Sequence, residues 1–135
     1  MATVPLKSDE TAGAEALAVF NDIRAKRNTD YVNNFWRALA NDPALLQSTW
    51  ERLQQVMAPG ALDPLVKEMI YIAVSTANGC SYCVHSHTAA AKAKGLSEAQ
   101  HGELMAVIAM ASQTNAFATA LQVESDIAVT GGATH

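Results

Sequence analysis

The fold of this chain is decided by residues 63–95, which read DPLVKEMIYIAVSTANGCSYCVHSHTAAAKAKG. Asp63-Pro64 is typical of a helix start, an N-cap residue followed by a first-turn proline, and Asn78-Gly79 supplies a left-handed stop. A second helix should begin at Cys80 and end at Gly95. The stretch therefore predicts two consecutive helices whose connecting turn ends at a cysteine.

Both cysteines of the chain lie at the start of the second predicted helix. Cys80 and Cys83 are separated by two residues, and His87 follows one helical turn after Cys83. At about 100° per residue these three side chains fall within an arc of about 60°, whereas His85 points about 140° away from Cys80. A dithiol and a base on one helix face are the components of thiol redox chemistry. His85 is expected to be a surface or interface group with at most an auxiliary role.

The rest of the chain also has helical periodicity. Apolar spacing indicates helices over residues 14–26, 31–39 and 41–57. Residues 97–100 form a capping-box pattern that opens a last helix reaching to about Val129. No stretch alternates as a strand bounded by hairpin turns, so a thioredoxin-type sheet is not expected. We predict an all-α fold, a bundle of about six helices.

Length and composition set the organisation of the chain. Its 135 residues predict a single domain over 1–135, with residues 1–13 and 131–135 flexible. Half of the residues are hydrophobic and only 16% are charged, so apolar surface should meet another subunit. The net charge of −4 argues against nucleic acid or an anionic membrane surface as a partner.

No targeting pattern is expected in this sequence. Residues 1–13 lack a charged segment followed by an apolar one, and no apolar run approaches the ~20 residues of a membrane span. These features predict a soluble cytoplasmic protein without a membrane partner. In that compartment a closely spaced cysteine pair is more often catalytic or metal-binding than a structural crosslink.

A glutamate upstream completes a signature with the cysteines and the histidine. Glu68, Cys80, Cys83 and His87 spell E-x11-C-x2-C-x3-H. This pattern resembles the active-site signature of the AhpD-like alkylhydroperoxidases, within the carboxymuconolactone decarboxylase superfamily, and the resemblance is densest over residues 63–110. It implies an AhpD-like helical domain that reduces hydroperoxides and is re-reduced by a dithiol donor, a lipoyl- or thioredoxin-type carrier. It also implies a homo-oligomer, with a hexamer built as a trimer of dimers favoured over a trimer or dimer.

The chemistry suggests a role for each residue of the signature. His87 can accept a thiol proton, and Glu68 can orient His87 and balance its charge. The resemblance makes Cys83 the attacking residue and Cys80 its resolving partner, whereas helix position alone favours Cys80 as the more acidic thiol. Tyr82 stands where the best-known family members carry a histidine, and it is an auxiliary candidate for gating or hydrogen bonding. Apart from the Cys80–Cys83 redox pair, neither a cofactor nor a metal is expected.

Three alternatives compete with the peroxidase interpretation. The four signature residues could bind zinc, although the spacing is unlike that of structural zinc sites. The chain could be a non-redox enzyme of the same superfamily, or an assembly protein without activity. Taken alone, Glu68 would be a solvated helix charge. Metal content and a free-thiol count before and after peroxide treatment distinguish these classes.

Overall fold

The structure, a computed structural model, describes residues 1–127 and 129. Within these residues the chain forms six α-helices and no β-strand, which confirms the predicted all-α class. The helices are α1 (Gly13–Arg27), α2 (Asn34–Leu39), α3 (Pro43–Met57), α4 (Pro64–Ala77), α5 (Ser81–Ala93) and α6 (Glu98–Ala120). They belong to two compact units, residues 1–58 and the residues from 59 onward.

The first unit packs α1, α2 and α3 around aromatic side chains. Phe20 of α1 is fully buried, and the Trp36 and Trp50 rings meet edge to face with their centroids 5.2 Å apart. The Trp50 indole N–H donates a 2.7 Å hydrogen bond to Asp22, so its polar atom is satisfied as its ring is buried. This unit thus has its own apolar core.

Residues before α1 contact this core unit through polar groups. The amide of Lys7 donates to the carbonyl of Arg37, and Asp9 forms a 2.8 Å ion pair with Arg24. The flexibility expected for residues 1–13 concerns motion and stays a prediction. Residues 131–135, for which the same was expected, lie outside the described residues.

The second unit is built on α4, which packs against both α5 and α6. Asp63 caps α4 through a 2.9 Å bond from the Leu65 amide, and Pro64 occupies the first helical position, as predicted. Ile72 and Ala91 are fully buried where α4 meets α5. This helix pair carries every residue of the sequence signature.

The turn between α4 and α5 is a left-handed helix stop. Gly79 has φ +70°, its amide donates to Thr76, and the Cys80 amide donates to Ser75. These two bonds form the Schellman arrangement that satisfies the last carbonyls of a helix. Cys80 is also the N-cap of α5, because its Sγ accepts from the Cys83 amide at 3.3 Å. The predicted helix start at Cys80 is therefore confirmed.

Two predicted boundaries are wrong. The last helix ends at Ala120 instead of continuing to Val129, because Gln122 adopts φ +51° and the Val123 amide turns back to Ala118. Tyr31 is not part of α2, which starts only at Asn34 after an extended residue. Within the described residues no helix combines the length and apolarity that crossing a membrane requires.

Two glycine-to-alanine variants should change stability in opposite directions. Gly79→Ala should lower the unfolding free energy by about 1–2 kcal/mol, because an L-residue is strained at φ +70°. Gly102→Ala should raise the unfolding free energy by roughly 0.5–1 kcal/mol, since this glycine lies inside α6 and the space that the new Cβ would occupy is open. Urea unfolding measures both.

An equal effect of Gly79→Ala and Gly102→Ala would contradict the assignment of strain to the turn at Gly79.

The same unfolding curves test the predicted single domain, which implies one cooperative transition for the whole chain.

Candidate redox site

Glu68 is the buried centre of the site. It lies on α4, only 4% of its surface is exposed, and both carboxylate oxygens have partners. Oε2 is 2.7 Å from Nδ1 of His87, and Oε1 accepts a 3.1 Å hydrogen bond from the ammonium of Lys94. A solvated helix charge, the alternative for Glu68 taken alone, does not describe this environment.

The partners of Glu68 decide its protonation. Burial alone would raise the pKa of the Glu68 carboxyl, since desolvation disfavours the charged form. Hydrogen bonds and charge from His87 and Lys94 act in the opposite direction, and together they hold its pKa below the usual value. Glu68 is therefore an anion near neutral pH.

His87 is held from two sides. A carboxylate can only accept hydrogen bonds, so Nδ1 of His87 carries the proton that Glu68 receives. The Tyr71 ring stacks on the imidazole, with a centroid distance of 3.5 Å and an interplanar angle of 18°. These contacts fix the tautomer and the ring plane. Nε2 is left as the nitrogen that can accept a proton.

The dithiol lies at the N-terminus of α5, one helical turn before His87. Cys80 and Cys83 are joined as a disulfide with their Cα atoms 5.3 Å apart, and both are partly buried. Adjacent helix-start amides favour a thiolate when the pair is reduced. The expected dithiol and the Glu68–His87 pair thus lie on the same two helices.

The two auxiliary candidates lie at the surface. Tyr82, between the cysteines, is 45% exposed. His85 is exposed on α5, and its Nδ1 is 2.8 Å from the carbonyl oxygen of Ser81 on the same helix. An auxiliary role for either residue stays a prediction.

Sequence reasoning missed Tyr71 and Lys94. Tyr71 follows Glu68 by three residues, and Lys94 follows His87 by seven, so each lies on the same helix face as a signature residue. This spacing was a usable signal. The helix dipole by itself favours a lysine at the C-terminal end of α5, so the position of Lys94 in the sequence does not single out Glu68 as its partner.

A metal site has no geometric support in the described residues. No three His, Cys, Asp or Glu side chains there are grouped so that they could hold one metal ion. Zinc binding by the signature residues would require them to rearrange, and metal analysis of the reduced protein is its direct test.

Comparison with known proteins identifies the class. The model of the carboxymuconolactone decarboxylase family matches residues 43–124, and this chain belongs to that family. The particular resemblance is AhpD-like: the chain shares 61% identity with the crystal structure of the alkylhydroperoxidase AhpD core from Rhodospirillum rubrum ATCC 11170. That match has a TM-score of 0.89 and covers 93% of this chain and 95% of the other. The resemblance inferred from the signature is thereby confirmed.

A curated relative points the same way. Alkyl hydroperoxide reductase AhpD of Solibacter usitatus (strain Ellin6076) is 35% identical over 91 residues, 67% of this chain and 50% of that protein. The chain thus spans about half the length of this relative.

Replacing Tyr71 should change the environment of the His87 ring. Tyr71→Leu removes the aromatic face, so the His87 ring-proton resonances should lose their ring-current shielding, whereas Tyr71→Phe should keep it. The unfolding free energy should fall by about 0.5–1.5 kcal/mol more for leucine than for phenylalanine. Proton NMR and urea unfolding measure these effects, with His85 as the internal control. A His87 spectrum unchanged by Tyr71→Leu would contradict the stacking.

Proposed function

We propose that this chain is a thiol-dependent peroxidase that reduces hydroperoxides with the Cys80–Cys83 dithiol. The observation that supports it most directly is the buried Glu68–His87 pair, located one helical turn from that dithiol. A thiol peroxidase needs a thiolate, a proton acceptor and donor, and a second thiol to resolve the oxidised sulfur. The two helices supply all three.

The oxidation of the dithiol needs only the hydroperoxide and the two cysteine thiols. A thiolate attacks the terminal oxygen of the hydroperoxide, the O–O bond breaks, and the leaving alkoxide takes a proton to become an alcohol. The attacking sulfur is now a sulfenic acid. The second thiol displaces its hydroxyl as water, and the S–S bond forms. A dithiol donor then returns two electrons and two protons through thiol–disulfide exchange.

The proton relay follows from the hydrogen bonds. Nε2 of His87 takes the thiol proton and returns it to the leaving oxygen, directly or through water. Glu68 keeps the proton on Nδ1 and stabilises the imidazolium that forms transiently. Tyr71 keeps the ring in plane. Fixing the tautomer and stabilising the imidazolium both require the buried anion at Glu68.

Two arguments assign the cysteines differently. The AhpD-like resemblance makes Cys83 the attacking residue and Cys80 the resolving one, and we adopt this assignment. The reverse has one structural argument: Cys80 Sγ accepts the Cys83 amide, a bond that would stabilise a Cys80 thiolate. Single-cysteine variants distinguish the two.

The remaining partners follow from the same proposal. The substrate is a hydroperoxide, and the reductant is a lipoyl- or thioredoxin-type dithiol carrier acting in the cytoplasm. Exposed apolar side chains on α4 and α6 support a homo-oligomer, with a trimer of dimers as the favoured form. They include Ile70, Val74, Val107, Met110 and Phe117. A non-redox reaction of the same family would leave the dithiol without a role.

Peroxide consumption by cysteine variants tests the proposed function. Peroxide should convert the reduced protein to an intramolecular disulfide, with both thiols lost together and the mass lowered by about two protons. Cys83→Ser should abolish turnover with a dithiol donor, and Cys80→Ser should leave one thiol that over-oxidises. His87→Gln should lower turnover by about 10²–10⁴-fold, the usual range for positioned acid–base groups.

Thiol counting, intact mass and a coupled turnover assay give these results, with His101→Gln as the matched control because His101 is a histidine on α6, outside the signature. If the reduced wild-type protein keeps both thiols in the presence of hydroperoxides, the peroxidase proposal fails. If Cys80→Ser is inactive and Cys83→Ser over-oxidises, the cysteine assignment is reversed.

A charge on the exposed face of α6 should weaken assembly. Light scattering should return a molar mass that is a multiple of the 14.3 kDa subunit mass, and the multiple should be six for a trimer of dimers. Val107→Glu should lower that mass, because it places a carboxylate on the apolar face, whereas Ser112→Glu adds the same charge at an exposed polar position about 140° around the helix from Val107. A wild-type monomer at micromolar concentration would remove the oligomer from the proposal.

A further inference from the structure

Among the described residues, Lys94 is the hydrogen-bond partner of Glu68 that the peroxidase mechanism does not use. It is the C-cap residue of α5, and its ammonium reaches back to Oε1 while His87 meets Oε2. The side chain of Lys94 is 39% exposed, whereas that of Glu68 is 5% exposed. A partly solvated cation therefore contacts a nearly dry anion.

This contact affects how strongly Glu68 attracts a proton onto His87. A buried carboxylate needs a nearby positive charge, because an isolated charge in a dry environment is unstable. If Lys94 supplies that charge, the imidazole need not be protonated to do so. Without Lys94, the Glu68 carboxylate keeps its contact with His87 but loses the ammonium on Oε1, so an imidazolium at His87 would be stabilised more strongly.

We infer that Lys94 is a positioning residue of this site: its ammonium anchors Glu68 and balances its charge, so that Glu68 can orient His87 without requiring a proton on both ring nitrogens. Its effect on turnover rests on the proposed peroxidase function, but its effect on His87 does not. Lys94 acts through Glu68 and needs no contact with substrate.

Side chains of both α4 and α5 contact the Glu68–His87 pair. The pair is faced by Tyr71 on α4 and by Lys94 on α5. The helix α6, which also packs against α4, carries Glu98, His101 and Glu103 near its start. Within the described residues, no hydrogen bond or ion pair joins these three side chains to Glu68 or His87. Lys94 is thus the cation in direct contact with the relay.

A matched set of lysine variants tests this role. Lys94→Gln removes the ammonium, and Lys94→Arg keeps a cation able to bind a carboxylate. Lys92→Gln is the control: it removes the same charge from the same last turn, but position 92 points about 160° away from position 94. For each protein, NMR follows the His87 ring titration, identified among four histidines by its loss in His87→Gln, and turnover is measured from about pH 5 to pH 9.

In Lys94→Gln the titration midpoint of His87 should move up by about one pH unit, a modest effect for a lost neighbouring charge. Turnover should fall about tenfold on the acidic side of the pH profile and recover at alkaline pH, where His87 is again neutral. Lys94→Arg and Lys92→Gln should retain the wild-type midpoint and profile.

A Lys94→Gln midpoint equal to the wild-type value, or a turnover loss of the same factor at every pH, would overturn the inference in favour of a purely structural ion pair. An equal shift in Lys92→Gln would mean a long-range charge effect and would overturn it as well. The NMR readout needs no peroxide activity. A protein without peroxide turnover but with the shifted midpoint would refute the proposed function and leave the role of Lys94 standing.

Discussion

The turn at residues 78–80 is the constraint on which the site depends. Gly79 ends α4 in a left-handed conformation, and the next residue already caps α5. The chain therefore reverses direction with no linker residues between the two helices beyond this turn. At about 1.5 Å per residue, Glu68 lies about 16 Å from the turn, between His87 at about 10 Å and Lys94 at about 21 Å. One carboxylate can therefore be reached from both sides along α5.

Burial is what makes these contacts selective. A carboxylate at 4% exposure loses its hydration, so its energy depends on the groups that contact it instead of on solvent. Well-packed apolar side chains would stabilise this helix pair as well as a buried ion pair does. A glutamate at position 68 is thus better explained by chemistry than by stability. Nearby on α4, Tyr71 stacks on His87 and Ile72 is fully buried.

The structural features that depend on local residue patterns were predicted from the sequence. Asp63, Gly79 and the Ser97 capping box mark helix ends by chemistry that acts within four residues. The signature spacing likewise placed Glu68 with His87. The end of α6 escaped prediction because Gln122, not glycine or asparagine, adopts the left-handed turn. Lys94 escaped prediction because any lysine at the end of a helix suits the helix dipole, and only the packing of α5 on α4 shows that its ammonium meets Glu68.

Cys80 contributes both to the fold and to the chemistry. Its amide completes the stop of α4, and its Sγ accepts the hydrogen bond that starts α5. That bond strengthens if the sulfur becomes a thiolate, because a charged acceptor binds an amide more tightly than a neutral one. A serine oxygen at position 80 can also cap a helix, whereas alanine cannot. Serine at this position therefore removes one of the two thiols and keeps the helix start, so a loss of turnover there can be assigned to the missing sulfur rather than to a displaced His87.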